Sequence, residues 1–283
     1  MKRVLLSFTF VTLIGCGKDE PEPIPTPREH SGELEQEVAM PWPKTPKTPL
    51  VYFENSLGMK FVPVPETTVQ FSIWETRVED YAAYASENES INNKWKRPEP
   101  LFPEFKQTPK RPVVGVSWND AQAFCDWLTK KELREGKIKQ GQVYRLPTDA
   151  EWSIAVGLTN EEGESPAEKD LVVKDVYPWG NFWPPPKGVG NYSERRRVDD
   201  FEFTAPVGSF PANEHGIHDL GGNVIEWCQD KYDPEADNRV ARDASFEFFH
   251  KDEWLSSSRD SRSENFRHYT HGFRCVLTNL PEE

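Results

Sequence analysis

Gly216-Ile217-His218-Asp219-Leu220-Gly221-Gly222-Asn223-Val224-Ile225-Glu226-Trp227, answered further on by Gly272-Phe273-Arg274-Cys275, carries more structural information than any other part of this chain. Two shorter runs accompany it, Arg145-Leu146-Pro147-Thr148-Asp149-Ala150-Glu151-Trp152 and Pro178-Trp179-Gly180. Around them stand 283 residues, 36% of them hydrophobic, enough to bury one substantial core, so one large domain is expected rather than two small ones. The 25 prolines and 10 tryptophans argue against a helical bundle and for loop-rich architecture held by aromatic contacts.

A formal net charge of -13 repels phosphate backbones and anionic headgroups, so no nucleic-acid partner is expected. The local run Arg195-Arg196-Arg197 lies beside Glu194, Asp199 and Asp200 and reads as a solvated loop. The first residues read as an address: Lys2-Arg3 is a positive n-region, and Val4 to Ile14 is apolar but too short to span a bilayer. Leu13-Ile14-Gly15-Cys16 then looks like a lipoprotein cleavage box, which makes Cys16 the lipidated first residue of the mature chain. The alternative is an ordinary signal peptide that contains a cysteine. Gly17 and Lys18, with no Asp after Cys16, point by similarity to bacterial sorting rules to the outer membrane. Residues 1–16 are therefore expected to form the signal and lipidation box, 17–50 a proline-rich tether and 51–283 the globular domain. At about 3 Å per residue such a tether reaches roughly 100 Å from its membrane anchor.

Within the domain, three helix starts are read from capping chemistry, a Ser or Thr answered by an acid three residues later. They are Thr76 with Glu79, Ser117 with Asp120, and Thr148 with Glu151, each followed by apolar residues at helical spacing. Met59–Val64, Val113–Val116 and Gly272–Leu277 read as strands bounded by Pro and Gly. Little is periodic between Pro178 and Pro211, and loops of that length are usually functional or pinned by a cation.

Taken in order from about Asn55 to Leu277, these motifs resemble the formylglycine-generating enzyme family, or sulfatase-modifying-factor domain. Asn55-Ser56-Leu57-Gly58-Met59, Glu75-Thr76 and Pro112-Val113-Val114-Gly115-Val116-Ser117-Trp118 carry the resemblance together with the runs quoted above. It implies an α+β fold, a C-type-lectin-like variant with little regular secondary structure and long loops. It also matches Cys125 and Cys275 to the positions of a structural disulfide, worth about 3 to 5 kcal/mol in the chain-entropy model. With Cys16 set aside, Cys228 is then the spare cysteine, read as a buried inert thiol.

The family's oxidase activity uses two cysteines shortly before the last strand to hold copper, because Cu(I) requires soft thiolate ligands. Counted back from Gly272-Phe273-Arg274, those positions fall on Phe246 and Lys251; counted forward from Arg242-Asp243-Ala244-Ser245, on Phe248 and Glu253. No cysteine exists between Cys228 and Cys275, so copper is not expected, and the resemblance leaves no catalytic residue to name. For calcium, the resemblance assigns Asp219, Glu226 and the carbonyls of Leu220, Gly222 and Val224 to one site. A second falls on Asn191, Asp199 and the carbonyls of Tyr192 and Phe201. The competing reading makes Asp219 and Glu226 capping or salt-bridge residues. His218 is read as a hydrogen-bonded structural residue, and His250, His268 and His271 as either structural groups or metal ligands near the cleft.

Two functions follow. One is an envelope lipoprotein whose scaffold binds a protein or glycan partner, with Trp179, Phe182 and Trp183 lining a groove or packing in the core. The other is an oxidoreductase or protein-modifying enzyme of the same family with a different metal centre.

Overall fold

Short strands make up most of the order of elements in the computed structural model, which describes residues 51–280. β1 (Phe53–Glu54), β2 (Lys60–Pro63) and β3 (Val69–Ser72) come first, then helices α1 (Val78–Ser86) and α2 (Trp118–Arg134). β4 (Gln142–Arg145) and helix α3 (Asp149–Val156) follow. After a long irregular stretch come β5 (Ile225–Lys231), β6 (Asn238–Arg242), β7 (Arg259–Ser263), β8 (His271–Gly272) and β9 (Val276–Asn279). The expected signal peptide, lipidation box at Cys16 and tether lie outside the described residues.

The strands form two sheets, one ordered β1-β2-β3-β9-β4 and the other β7-β6-β5-β8. All pairs are antiparallel except β5 with β8, where Ile225 faces His271 and Glu226 faces Gly272. This is the α+β arrangement with long loops that the resemblance implies. One core gathers Phe61, Tyr81, Phe124, Tyr144, Cys125 and Phe273, with the Phe124 and Phe273 rings edge to face at 5.4 Å. A second gathers Phe71, Trp152, Cys228, Val240 and Val276.

Local chemistry sets two helix starts as expected. Ser117 Oγ accepts the Asp120 N–H at 3.2 Å while Asp120 accepts the Ser117 N–H at 2.9 Å. Thr148 and Glu151 exchange the same pair of bonds at 3.1 and 2.8 Å. The first helix departs from the expectation: α1 is capped by Arg77 and Asp80, whose carboxylate accepts the Arg77 N–H at 2.9 Å. Thr76 lies one residue before the cap, its hydroxyl against Cys275 Sγ at 3.7 Å, while its backbone donates to Phe273 O at 2.8 Å and accepts from Val113 N at 2.9 Å.

That pairing also explains the two strand readings that change. Val113–Val116 is buried but irregular, held on one side by Thr76 and on the other by the bond from Gly115 N to His268 O, with Gly115 at φ +73. Gly272–Leu277 is split: the chain leaves the second sheet after Gly272 and enters the first at Val276. The crossing is tight, since a Cβ on Gly272 would stand 2.6 Å from the Val113 carbonyl oxygen.

A charged cluster locks α3 to the second sheet. Asp149, at the start of α3, accepts from Arg242 Nη1 at 2.7 Å and from Arg259 Nη2 at 2.9 Å, and Arg259 also pairs with Glu161 at 2.8 Å. Arg242 stacks over the Trp152 ring at 4.4 Å. Burial by itself would raise the Asp149 pKa, but the two guanidinium groups outweigh it and hold the carboxyl below its ordinary 3.8. A depressed folded pKa stabilises above the unfolded value and is lost as pH falls through the folded one. The domain is therefore expected to lose stability as pH drops below about 4. Asp149→Asn should flatten that acid limb and cost about 3 kcal/mol at neutral pH by leaving two guanidiniums uncompensated, as urea unfolding across pH would measure.

Candidate functional site

Glu226 on β5 and Arg274, in the crossing between β8 and β9, are both 0% exposed. The parallel register of Glu226 with Gly272 brings Arg274 back over β5 two residues later. Arg274 Nε and Nη2 donate to the two Glu226 oxygens at 2.7 and 2.5 Å, and Trp152 Nε1 donates to the same carboxylate at 3.0 Å. The remaining guanidinium donors go to the carbonyls of Ser72, His218 and Asp219 at 3.2, 3.1 and 3.2 Å. Burial would lower the Arg274 pKa, but Glu226 reverses the sign and raises it. A buried pair of this kind survives because every nitrogen of the guanidinium finds an acceptor.

Asn223 is the second anchor of this stretch. Its side-chain oxygen accepts from Asn191 Nδ2 at 3.0 Å and Ala205 N at 2.8 Å, and its Nδ2 donates to Glu75 at 2.8 Å. Asp219, Asn223 and Asp243 all sit at positive φ (57, 64 and 81), the left-handed region that Asn and Asp tolerate best. Asp219 accepts from Gly208 N at 2.6 Å, and Asp243 from Gly222 N at 2.9 Å. Gly222 is required: it lies at φ +90, and a Cβ there would stand 2.4 Å from the Asn191 carbonyl oxygen. Burial, joined by the nearby Asp219 charge, pushes the Glu75 pKa well above the carboxylate range, and burial raises Asp219 and Asp243 too.

These bonds bear on the two calcium sets. Glu226 has both oxygens committed to Arg274 and Trp152, so as a ligand it would have to release a guanidinium. Asp199 spends its oxygens on the N–H groups of Tyr192 and Phe201, each at 2.8 Å, which pins its loop without an ion. Unbonded oxygens do remain on Glu75, Asp219, Asn191 and Asp243. Among the described residues no group of three or more His, Cys, Asp or Glu side chains could hold a metal, but both calcium sets draw most of their oxygens from backbone carbonyls and Asn191. The bonds that Asp219 and Glu226 make are those of the capping and salt-bridge reading.

A groove of about 420 Å³ opens beside this network, with Phe246 at its base. Phe246 is 3% exposed, and its backbone N–H donates to Asn223 O at 3.1 Å, tying groove to anchor. Of the four positions matched to the family's cysteines, only Phe246 lines it. Lys251 is exposed and pairs with Asp175 at 2.6 Å, Phe248 packs against the cores, and Glu253 accepts the His250 N–H at 2.9 Å. The walls, Phe102 and Phe203 with Glu104 and Glu202, come from loops that sequence reading did not single out. The signal available was the Phe-Pro-Glu-Phe run at 102–105.

The other expected residues go to structural tasks. Cys125 and Cys275 face each other as buried thiols with sulfurs 3.6 Å apart, against about 2.05 Å for a bond, and burial pushes the Cys125 thiol up. Cys228 is buried in the second core. His218 Nδ1 bonds to Phe210 O at 2.8 Å. His268 and His271 share the Thr270 hydroxyl at 2.7 and 3.1 Å, and His271 Nε2 meets Asp260 at 3.0 Å. The His250 ring lies against Phe249 at 4.0 Å. Trp179 is 2% exposed and stacked on Tyr177, although it also lines a separate cavity of about 310 Å³ with Phe182. Trp183 packs against Trp254 at 5.4 Å.

Comparison with known proteins agrees with this geometry. The profile of a family described as "Sulfatase-modifying factor enzyme 1-like domain" matches residues 51–279. The "Inactive C-alpha-formylglycine-generating enzyme 2" of Bos taurus is 32% identical over 202 residues, covering 64% of this chain and 55% of that protein. The "Formylglycine-generating enzyme" of Bos taurus is 29% identical over 217 residues, covering 66% and 49%. The chain thus spans about half the length of these curated relatives. Among solved structures, PvdO from Pseudomonas aeruginosa superposes with a TM-score of 0.59 at 18% identity, covering 82% of this chain and 99% of that one, which shows a shared fold.

Removing one partner of the central pair should be severe. Glu226→Gln is expected to cost about 3 to 5 kcal/mol in urea unfolding. Calcium added after chelation should leave the melting temperature of the unaltered chain where it was. A calcium-dependent rise abolished by Glu226→Gln would show instead that the ion displaces Arg274.

Proposed function

We propose that this chain, which belongs to the sulfatase-modifying factor enzyme 1-like domain family, is a non-catalytic binding module held at the bacterial cell envelope by a lipid anchor. The observation that carries this reading is Phe246. A buried aromatic ring forms the base of the groove at a position onto which, in one of the two registers of the resemblance, a copper-binding cysteine of the resembled enzymes falls. A phenyl ring offers no lone pair to Cu(I), and the thiols of Cys125, Cys228 and Cys275 are buried in the two cores. The similarity to a bovine protein whose name marks it as inactive supports the same reading.

The groove remains a place to bind. Its aromatic floor and polar rim have the make-up of a recognition surface, with rigid apolar area inside and charge at the edge. The anchor is supported by the cleavage box ending at Cys16 and the proline-rich stretch after it. In an oxidising compartment, the facing Cys125 and Cys275 thiols are placed to form the disulfide implied by the resemblance.

Two measurements test this proposal. The purified full chain, loaded with Cu(I) and given a cysteine-containing sulfatase peptide, should show no stoichiometric copper and no oxygen uptake; turnover would overturn the binding-only reading. Cells fed radiolabelled palmitate should label the chain and leave Cys16→Ser unlabelled. Equal labelling of the two, or of neither, would remove the anchor.

A further inference from the structure

The groove at Phe246 has a composition that selects its ligand. Phe102, Phe203, Phe246 and Phe249 supply aromatic lining. These rings are braced: Phe203 stacks on Phe105 at 4.9 Å, Phe246 meets Phe105 at 5.8 Å, and Phe102 meets Tyr269 edge-on at 5.8 Å. Glu104, Glu194, Glu202 and Glu247 bring four carboxylates to the same lining, against a single base, Arg195. All four glutamates are exposed, and among the described residues Glu104, Glu194 and Glu202 have no ion-pair partner. Tyr269 donates to Glu247 at 2.6 Å and so fixes one carboxylate at the rim. The groove already holds one cation of the protein's own, since the Arg195 guanidinium lies 4.6 Å from the centre of the Phe249 ring.

We propose that this groove binds a small organic cation, an ammonium or guanidinium group on a short aliphatic chain. This rests on the reading of the groove as a binding surface and adds to it the class of ligand. Ring faces attract a positive charge through their quadrupole, and the aliphatic chain covers the apolar ring area that water solvates poorly. The carboxylate rim adds long-range attraction and rejects anions. A bare metal ion is a poor match, because hard cations need converging oxygens at short range, and the groove offers ring carbon at its base. The available volume of about 420 Å³ suits a ligand of small-molecule size.

The test is calorimetric titration of the full chain with choline, with agmatine, and with the neutral tert-butyl analogue of choline. Both cations are expected to bind about tenfold or more tightly than the neutral analogue. The double substitution Glu104→Gln with Glu202→Gln, at two exposed and unpaired positions, should weaken the cations about fivefold to tenfold and leave the neutral analogue unchanged. Arg195→Ala should strengthen them, because it frees the Phe249 face and removes the only positive charge in the lining. Equal affinity for cation and neutral analogue, no effect of the double substitution, or no binding up to about 10 mM would overturn the proposal. So would a basic peptide that binds where free cations do not, an outcome that keeps the binding role and changes its ligand. Failure of the binding role itself is read separately, from copper content and oxygen uptake.

Discussion

A carboxylate and a guanidinium, taken wholly out of water, hold this domain together. Glu226 and Arg274 stand 48 residues apart in the chain. The pair is tolerable only because the donors around it find acceptors in three backbone carbonyls as well as in the carboxylate. Those carbonyls belong to Ser72 at the end of β3 and to His218 and Asp219 in the glycine-rich loop. A single guanidinium therefore fixes a strand of the first sheet, a loop and a strand of the second sheet in relation to one another. The irregular connections between Pro178 and Pro211 need this constraint, because they have little repeating backbone pairing of their own.

What hydropathy could reveal followed from whether a residue's neighbours are local. The caps at Ser117 and Thr148 are settled within four residues, and the helices begin there. Thr76 has the same sequence signature, but its backbone is claimed by Phe273 and Val113, far away along the chain. The second sheet was harder to foresee for a different reason. Asn238–Arg242 and Arg259–Ser263 read as polar, yet Arg242 and Arg259 point inward to Asp149, so burial there depends on partners and not on apolarity. The candidate site divides in the same way. The family motifs led to Phe246, to Glu75 and to the loop of Asp219 and Glu226, whereas Phe102 and Phe203 join them only through tertiary packing.

The character of the groove is set by the aromatic and acidic side chains that line it. Phe246 brings an apolar ring to the groove, and Asn223 ties that floor to the core through the Phe246 N–H. Scaffold and reactivity are separable in such a fold, since the buried ion pair and the asparagine anchor secure geometry while the exposed lining decides what is recognised.

β9 lies in the interior of the first sheet, between β3 and β4, although among the described residues it is the last strand in chain order. Until β9 is in place, β3 and β4 each keep an unpaired edge, and Glu226 lacks the counter-charge of Arg274, which precedes β9 in the chain. Early segments of the nascent chain cannot settle ahead of late ones, so the domain must close in one concerted event of high contact order. Edges left open in that interval are sites where strands of separate chains can pair, so the placement of one short strand sets where the incompletely folded domain is exposed to aggregation.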